Sequence, residues 1–245
     1  MIIIYIYTLN TYAVYMITVG ISFCEHKYEI VPRIAEFFNS ISNVSYLFAA
    51  AGLAAGVGPI PIAYTLGFVG IGSFFFHSTG SVVGEMIDEW AMICFMVHVF
   101  CMLNKKRPNR LYPLIIFVLL LGMFYYTSRP VYKIFIDLFA VALVTLLSSL
   151  YLQIRSNDGK VPRRYYMYSL SAFLVAYAAW CVEQYTPCTT IAHFYVLHPA
   201  WHIGTAISMY HLVQCIHHLP VAAHLDPNTG VPLSLFHDVA ASDTF

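Results

Sequence analysis

A chain of 245 residues with 60% apolar and only 10% charged residues lacks the polar surface of a soluble domain, which carries about 25% charged residues. Twelve basic and twelve acidic residues balance to zero without a basic block, which argues against nucleic acid as a partner. Six cysteines with no CxxC pair exclude a cysteine zinc module.

A bilayer-spanning helix needs about 20 mostly apolar residues. In chain order, such runs fall at 34–57, 60–80, 82–103, 111–127, 134–153, 165–185 and 193–218. Breakers separate them: Gly58 with Pro59 and Pro61, Arg107 with Pro108, Arg129 with Pro130, and Asn157 with Asp158 and Gly159. Residues 1–21 form an eighth apolar run, either a weak cleaved signal or an extra span. The expected fold class is all-α: a polytopic seven-transmembrane helix bundle over residues 22–218, with the extra apolar N-terminal segment before it. Residues 219–245 contain Pro, Asp and Asn, show no periodicity and read as a cytosolic tail.

The basic residues set the expected orientation. Lys105, Lys106, Arg107 and Arg110 lie in one connector, and Arg155, Lys160, Arg163 and Arg164 in another. The opposite side carries only Lys27, Arg33, Arg129 and Lys133. By the positive-inside tendency the two richer connectors are cytosolic, which puts residues 24–33 outside and the C-terminus inside.

Ionisable residues inside spans are costly, so each is a functional candidate. The second run ends with Ser73 and His77, four residues apart on one helix face. The third begins with Glu85, Asp88 and Glu89, and the seventh carries His198 and His202, again four apart. The expected orientation brings Ser73, His77, Asp88, His198 and His202 to one level in the outer half of the bilayer. Imidazoles one turn apart reach a single ion, and three nitrogen ligands with an open fourth position suit catalytic zinc. Haem held by facing histidines is the competing metal reading, but it leaves Ser73 and Asp88 without a role. His98, His211, His217 and His218 read as hydrogen-bonded packing residues, and Asp137 as an interfacial or helix-dipole one. One of Glu85 and Glu89 is a candidate partner for an imidazole. Asn43 and Ser45 match a glycosylation sequon, which its place inside a span discounts.

An SxxxH motif, an Asp eleven residues after its His, and HxxxH in the last span together resemble the hydrolase superfamily of alkaline ceramidases and adiponectin/progestin-type receptors. Cys24-Glu-His-Lys-Tyr28 and the stretch from Ile34 through Glu36 and Asn39 to Asn43 are similar to the ceramidase branch. The resemblance covers roughly residues 22–218. It implies zinc on His77, His198 and His202, catalytic roles for Asp88 and Ser73, and hydrolysis of ceramide to sphingosine and a fatty acid. An apolar cavity between helices would suit such a lipid. Residence in the endoplasmic reticulum, Golgi or plasma membrane is expected, with the site facing the lumen or outside. A receptor that keeps zinc as a structural site is the alternative function.

The family's calcium site aligns with Ser22, Phe23, Glu25, Lys27 and Glu36. Two oxygen ligands are lost there, whereas calcium takes six to eight, so calcium is doubtful. Lys27 is expected to bridge the two carboxylates in its place. Cys24 and Cys188 both fall on the outer, oxidising side by the orientation argument, and a disulfide between them is expected to pin the N-terminal segment over the site. Two free thiols are the alternative.

Overall fold

A computed structural model of the protein describes residues 23–56, 60–106, 117–118, 121–122, 132–157, 160–189 and 194–220. The expected segment 1–21, Ser22, most of the expected span 111–127 and the tail from residue 221 lie outside them. The described residues form α1 (Phe37–Ser42), α2 (Val44–Gly56), α3 (Ile60–Thr79), α4 (Val82–Lys106), α5 (Tyr132–Asn157), α6 (Lys160–Tyr185), a 3-10 turn (Phe194–Val196) and α7 (Leu197–His217). No strand occurs among them. The all-α expectation holds for these residues.

Among the described residues, three segments are long and apolar enough to cross a membrane: Val82–Asn104, Ile134–Arg155 and Lys160–Tyr185. Large apolar side chains, among them Phe48, Tyr64, Val144 and Val175, project outward and exposed. Water would penalise such a surface, whereas lipid solvates it. This is a helical membrane protein.

The run read as one span over 34–57 is two helices, broken at Asn43. The cause is local. Asn43 Nδ2 donates to the Asn39 carbonyl at 2.8 Å, and Ser42 Oγ donates to the same carbonyl at 2.9 Å. Side chains thus compete for a carbonyl that a continuing helix would use. Asn43 is buried, in keeping with the discounted sequon. At the other end of α1, Glu25 accepts the Phe38 and Asn39 backbone N–H groups at 2.7 and 2.8 Å. A carboxylate there satisfies amides that have no partner within the helix.

α3 and α4 form a tight hairpin. Gly80 ends α3 with φ +58°, a left-handed conformation that glycine adopts without steric cost. Ser81 Oγ then accepts the Gly84 N–H at 3.0 Å and starts α4. A Cβ on Gly84 would come within 2.7 Å of Phe76 Cα, so the helices can meet this closely only because that atom is missing. α6 and α7 pack along each other in the same way, with Gly204 against Ala176. These two close seams hold the faces that carry Ser73, His77, Asp88, His198 and His202. Beyond them Leu53, Leu66, Leu103, Leu150 and Ile216 fill a buried apolar core.

Candidate metal centre

His77 sits near the end of α3, and His198 and His202 sit one turn apart at the start of α7. All three are buried, and one nitrogen from each lies within 4.8 Å of the others. The structure brings the three histidines together, as expected from the sequence.

Each imidazole is held from behind. His77 Nδ1 lies 2.7 Å from Glu36 Oε2, and His198 Nδ1 lies 2.9 Å from Glu183 Oε2. His202 Nδ1 lies 2.7 Å from Ser42 Oγ. Ser42 donates its proton to the Asn39 carbonyl, so its oxygen accepts from His202 Nδ1–H. With Nδ1 protonated and engaged on every ring, Nε2 is the lone-pair nitrogen on every ring. Neutral imidazoles fixed in one tautomer by an acceptor are the usual state of metal-ligating histidine. The donor set therefore fits a borderline ion such as zinc.

Glu85 and Glu89 line the same cavity, but the Nδ1 positions belong to Glu36, Glu183 and Ser42. The expectation that one of the two α4 glutamates holds an imidazole is corrected accordingly. Glu183 and Ser42 were not foreseen. Glu183 did leave a signal, as a carboxylate within an apolar helix. Ser42 left only its place in a polar cluster ahead of the α1–α2 break.

Asp88, on α4, is hydrogen-bonded by the Ser73 hydroxyl of α3. Both residues line one cavity with His77, His198 and His202. Along α4 the lining residues are Glu85, Asp88, Glu89, Met92, Phe95, Met96 and Val99. They mark a single helical face about 21 Å long, at 1.5 Å per residue. Facing walls come from Phe139, Leu143 and Leu146 of α5 and from Trp201, Met209 and Leu212 of α7. The cavity is thus polar at the histidine end and apolar along the rest of its length.

The segment ahead of α1 closes the polar end. Phe23 packs against His198 with ring centroids 3.8 Å apart and planes tilted by 36°. Cys24 is disulfide-bonded to Cys188, with Cα atoms 5.4 Å apart. The Cys24 N–H donates to Glu183 Oε1 at 3.2 Å, so Glu183 holds the segment with one oxygen and His198 with the other. Further along, the Ala35 and Glu36 N–H groups donate to the carbonyls of Ser78 and His77 at 2.9 and 3.0 Å.

The expected lysine bridge is not made. Lys27 forms no ion pair with Glu25 or Glu36. Its Nζ lies 3.2 Å from the position of a Cβ on Gly80, at the C-terminal end of α3, where the helix dipole favours a cation. Glu25 instead caps α1, and burial pushes its carboxyl above the usual carboxylate range. Glu36 is bonded to His77 and to Asn39 Nδ2, the latter at 2.9 Å. Of the five aligned positions Ser22 lies outside the described residues, and the others offer the Glu25 and Glu36 carboxylates and the Phe23 carbonyl, with an ammonium at Lys27. They do not fit calcium, which takes six to eight oxygens.

A helical membrane protein with three buried histidines placed so that they could hold a metal ion, beside an Asp–Ser pair, is the class that fold and site define. The Ceramidase family model matches residues 16–234, and the chain belongs to that family. It is a hydrolase of the ceramidase class. Similar proteins include an alkaline ceramidase of Drosophila melanogaster, 25% identical over 78% of this chain and 73% of its own length. Alkaline ceramidase 1 of Mus musculus is 23% identical over 77% of this chain and 75% of its own. An alkaline ceramidase of Saccharomyces cerevisiae is 23% identical over 83% and 77%.

Proposed function

We propose that the protein hydrolyses ceramide to sphingosine and a fatty acid at a zinc centre within the membrane. The observation that carries this reading is the set of three imidazoles, each fixed at Nδ1 and converging at Nε2, beside the Ser73–Asp88 pair at the polar head of an apolar cavity. His77, His198 and His202 would hold the metal. When bound, zinc supplies Lewis-acid chemistry, polarising the amide carbonyl and acidifying water.

The protein's own residues do the rest. The Asp88 carboxylate accepts the proton of the attacking water and returns it to the nitrogen of the departing sphingoid amine. Ser73 donates to Asp88 and so fixes the carboxylate for both transfers. Phe23 covers the polar end of the cavity and limits access of bulk water. The apolar walls take up hydrocarbon, leaving the amide as the polar group at the histidines. The segment Cys24 to Tyr28 and the stretch from Ile34 to Asn43, similar to the ceramidase branch, favour the enzyme over a receptor with a purely structural zinc.

The proposed setting is a bundle of seven spans with the site toward the lumen or outside and the C-terminus in the cytosol. The endoplasmic reticulum, the Golgi and the plasma membrane are the candidate membranes, and the surrounding lipid is the source of substrate. A disulfide beside the site supports the non-cytosolic side, where such bonds persist. The test is to incubate purified protein with a panel of ceramides, with and without a zinc chelator. Release of sphingosine and fatty acid that stops on chelation and returns with zinc is expected. No release from any ceramide by zinc-loaded protein would overturn the reading.

A further inference from the structure

We propose that the cavity is a blind gauge for the fatty acyl chain, with its depth set by a floor of Leu66, Leu103, Leu150 and Ile216. The inference deepens the hydrolase reading and rests on it.

Among the described residues, four helices stop lining the cavity where they meet one core cluster. The last lining residues are Val69 on α3, Val99 on α4, Leu146 on α5 and Leu212 on α7. About one turn further from the histidines on the same helices come Leu66, Leu103, Leu150 and Ile216. These four are buried and belong to one continuous core cluster. One helix ending its lining early would be a dent, but four doing so together make a floor. From His202 to Leu212 the distance along α7 is about 15 Å. That is half of a hydrocarbon core of about 30 Å, and so the length of a chain in one leaflet.

The walls favour the acyl chain over the sphingoid chain. Beyond the histidines the lining hydroxyls are already paired. Tyr46 Oη is 2.6 Å from Thr205 Oγ1, and Ser208 Oγ is 3.1 Å from Ser169 Oγ. An acyl chain is apolar from its first methylene and needs nothing from them. The sphingoid base carries hydroxyls beside the amide that need polar partners, and the Glu85 and Glu89 carboxylates that line the polar end keep that base at the head of the cavity.

The experiment measures kcat/KM for ceramides of one sphingoid base with acyl chains of increasing length, from short to longer than a leaflet. A second series varies the sphingoid chain at fixed acyl length. The wild-type protein should show a limit in the first series, with discrimination of about tenfold or more between chains on either side of it. Leu103→Ala should move that limit to longer chains, and Leu103→Phe to shorter ones. Zinc content and cleavage of the shortest ceramide report that each variant is folded. If Leu103→Phe does not fold, Leu103→Ala and Ile216→Ala still test the direction. A limit unmoved in folded Leu103→Ala and Ile216→Ala overturns the gauge while leaving the hydrolase reading standing. A limit that follows the sphingoid series instead overturns the acyl assignment. Absence of cleavage of every ceramide by the wild-type protein overturns the hydrolase reading, and the gauge falls with it.

Discussion

At the scale of single residues, the centre depends on what stands behind the ligands as much as on the ligands. The double variant His198→Ala/His202→Ala should lose the metal, where the wild-type protein is expected to bind about one zinc per chain; elemental analysis after dialysis measures both. Asp88→Asn keeps the shape and removes the base, so zinc should remain while turnover falls by about 10²-fold or more. Near-normal turnover would pass the role to Glu85 or Glu89. Glu183→Ala removes the acceptor of His198 Nδ1–H, and zinc affinity should fall about 10- to 100-fold in competition with a chelator. An unchanged affinity would show that Glu183 only anchors Cys24. The ligands were legible in the sequence because helical spacing leaves a pattern, as His198 and His202 do. Glu183 and Ser42 were not, because a hydrogen bond spanning 15 or 160 residues leaves no period to read. Glu36 was visible but attached to the wrong chemistry. Its carboxylate faces His77, and only the fold decides between an imidazole and a cation as its partner.

At the scale of elements, hydropathy located the helices and missed where one of them breaks. Asn39, Ser40, Ser42 and Asn43 are an unusual cluster for an apolar run, and Ser42 and Asn43 end α1 by bonding the Asn39 carbonyl. That break puts Ser42 against His202. The α3–α4 hairpin has a comparable dependence on a single position. Gly84→Val places side-chain atoms where Phe76 Cα already lies 2.7 Å from a bare Cβ. Overpacking of this kind costs about 1–3 kcal/mol. A lower melting temperature in detergent is expected, together with a loss of turnover larger than the loss of folded protein, because the helices carrying Ser73 and Asp88 are pushed apart. Turnover that falls only in step with folded protein would show that this seam serves stability alone.

At the scale of the whole molecule, the disulfide and the strap it holds join distant parts of the chain over one site. Thiol labelling of denatured, unreduced protein should modify Cys94, Cys101, Cys181 and Cys215 and spare Cys24 and Cys188. Modification of Cys188 without reductant would contradict the bond. Calcium should leave both melting temperature and activity unchanged, since Glu25 and Glu36 are already held by amides and an imidazole; a rise abolished by Glu36→Gln would reverse that conclusion. The same long-range closure bears on biosynthesis. His77 precedes His198 by about 120 residues, and a ribosome adds about 5–20 residues per second. The nascent chain therefore carries one of its three histidines for on the order of ten seconds while it is threaded into lipid. Until α7 arrives and Cys188 finds Cys24, the chain has one ligand and no lid. On the proposed function, the catalyst stays disarmed through its own insertion into the membrane that holds its substrate.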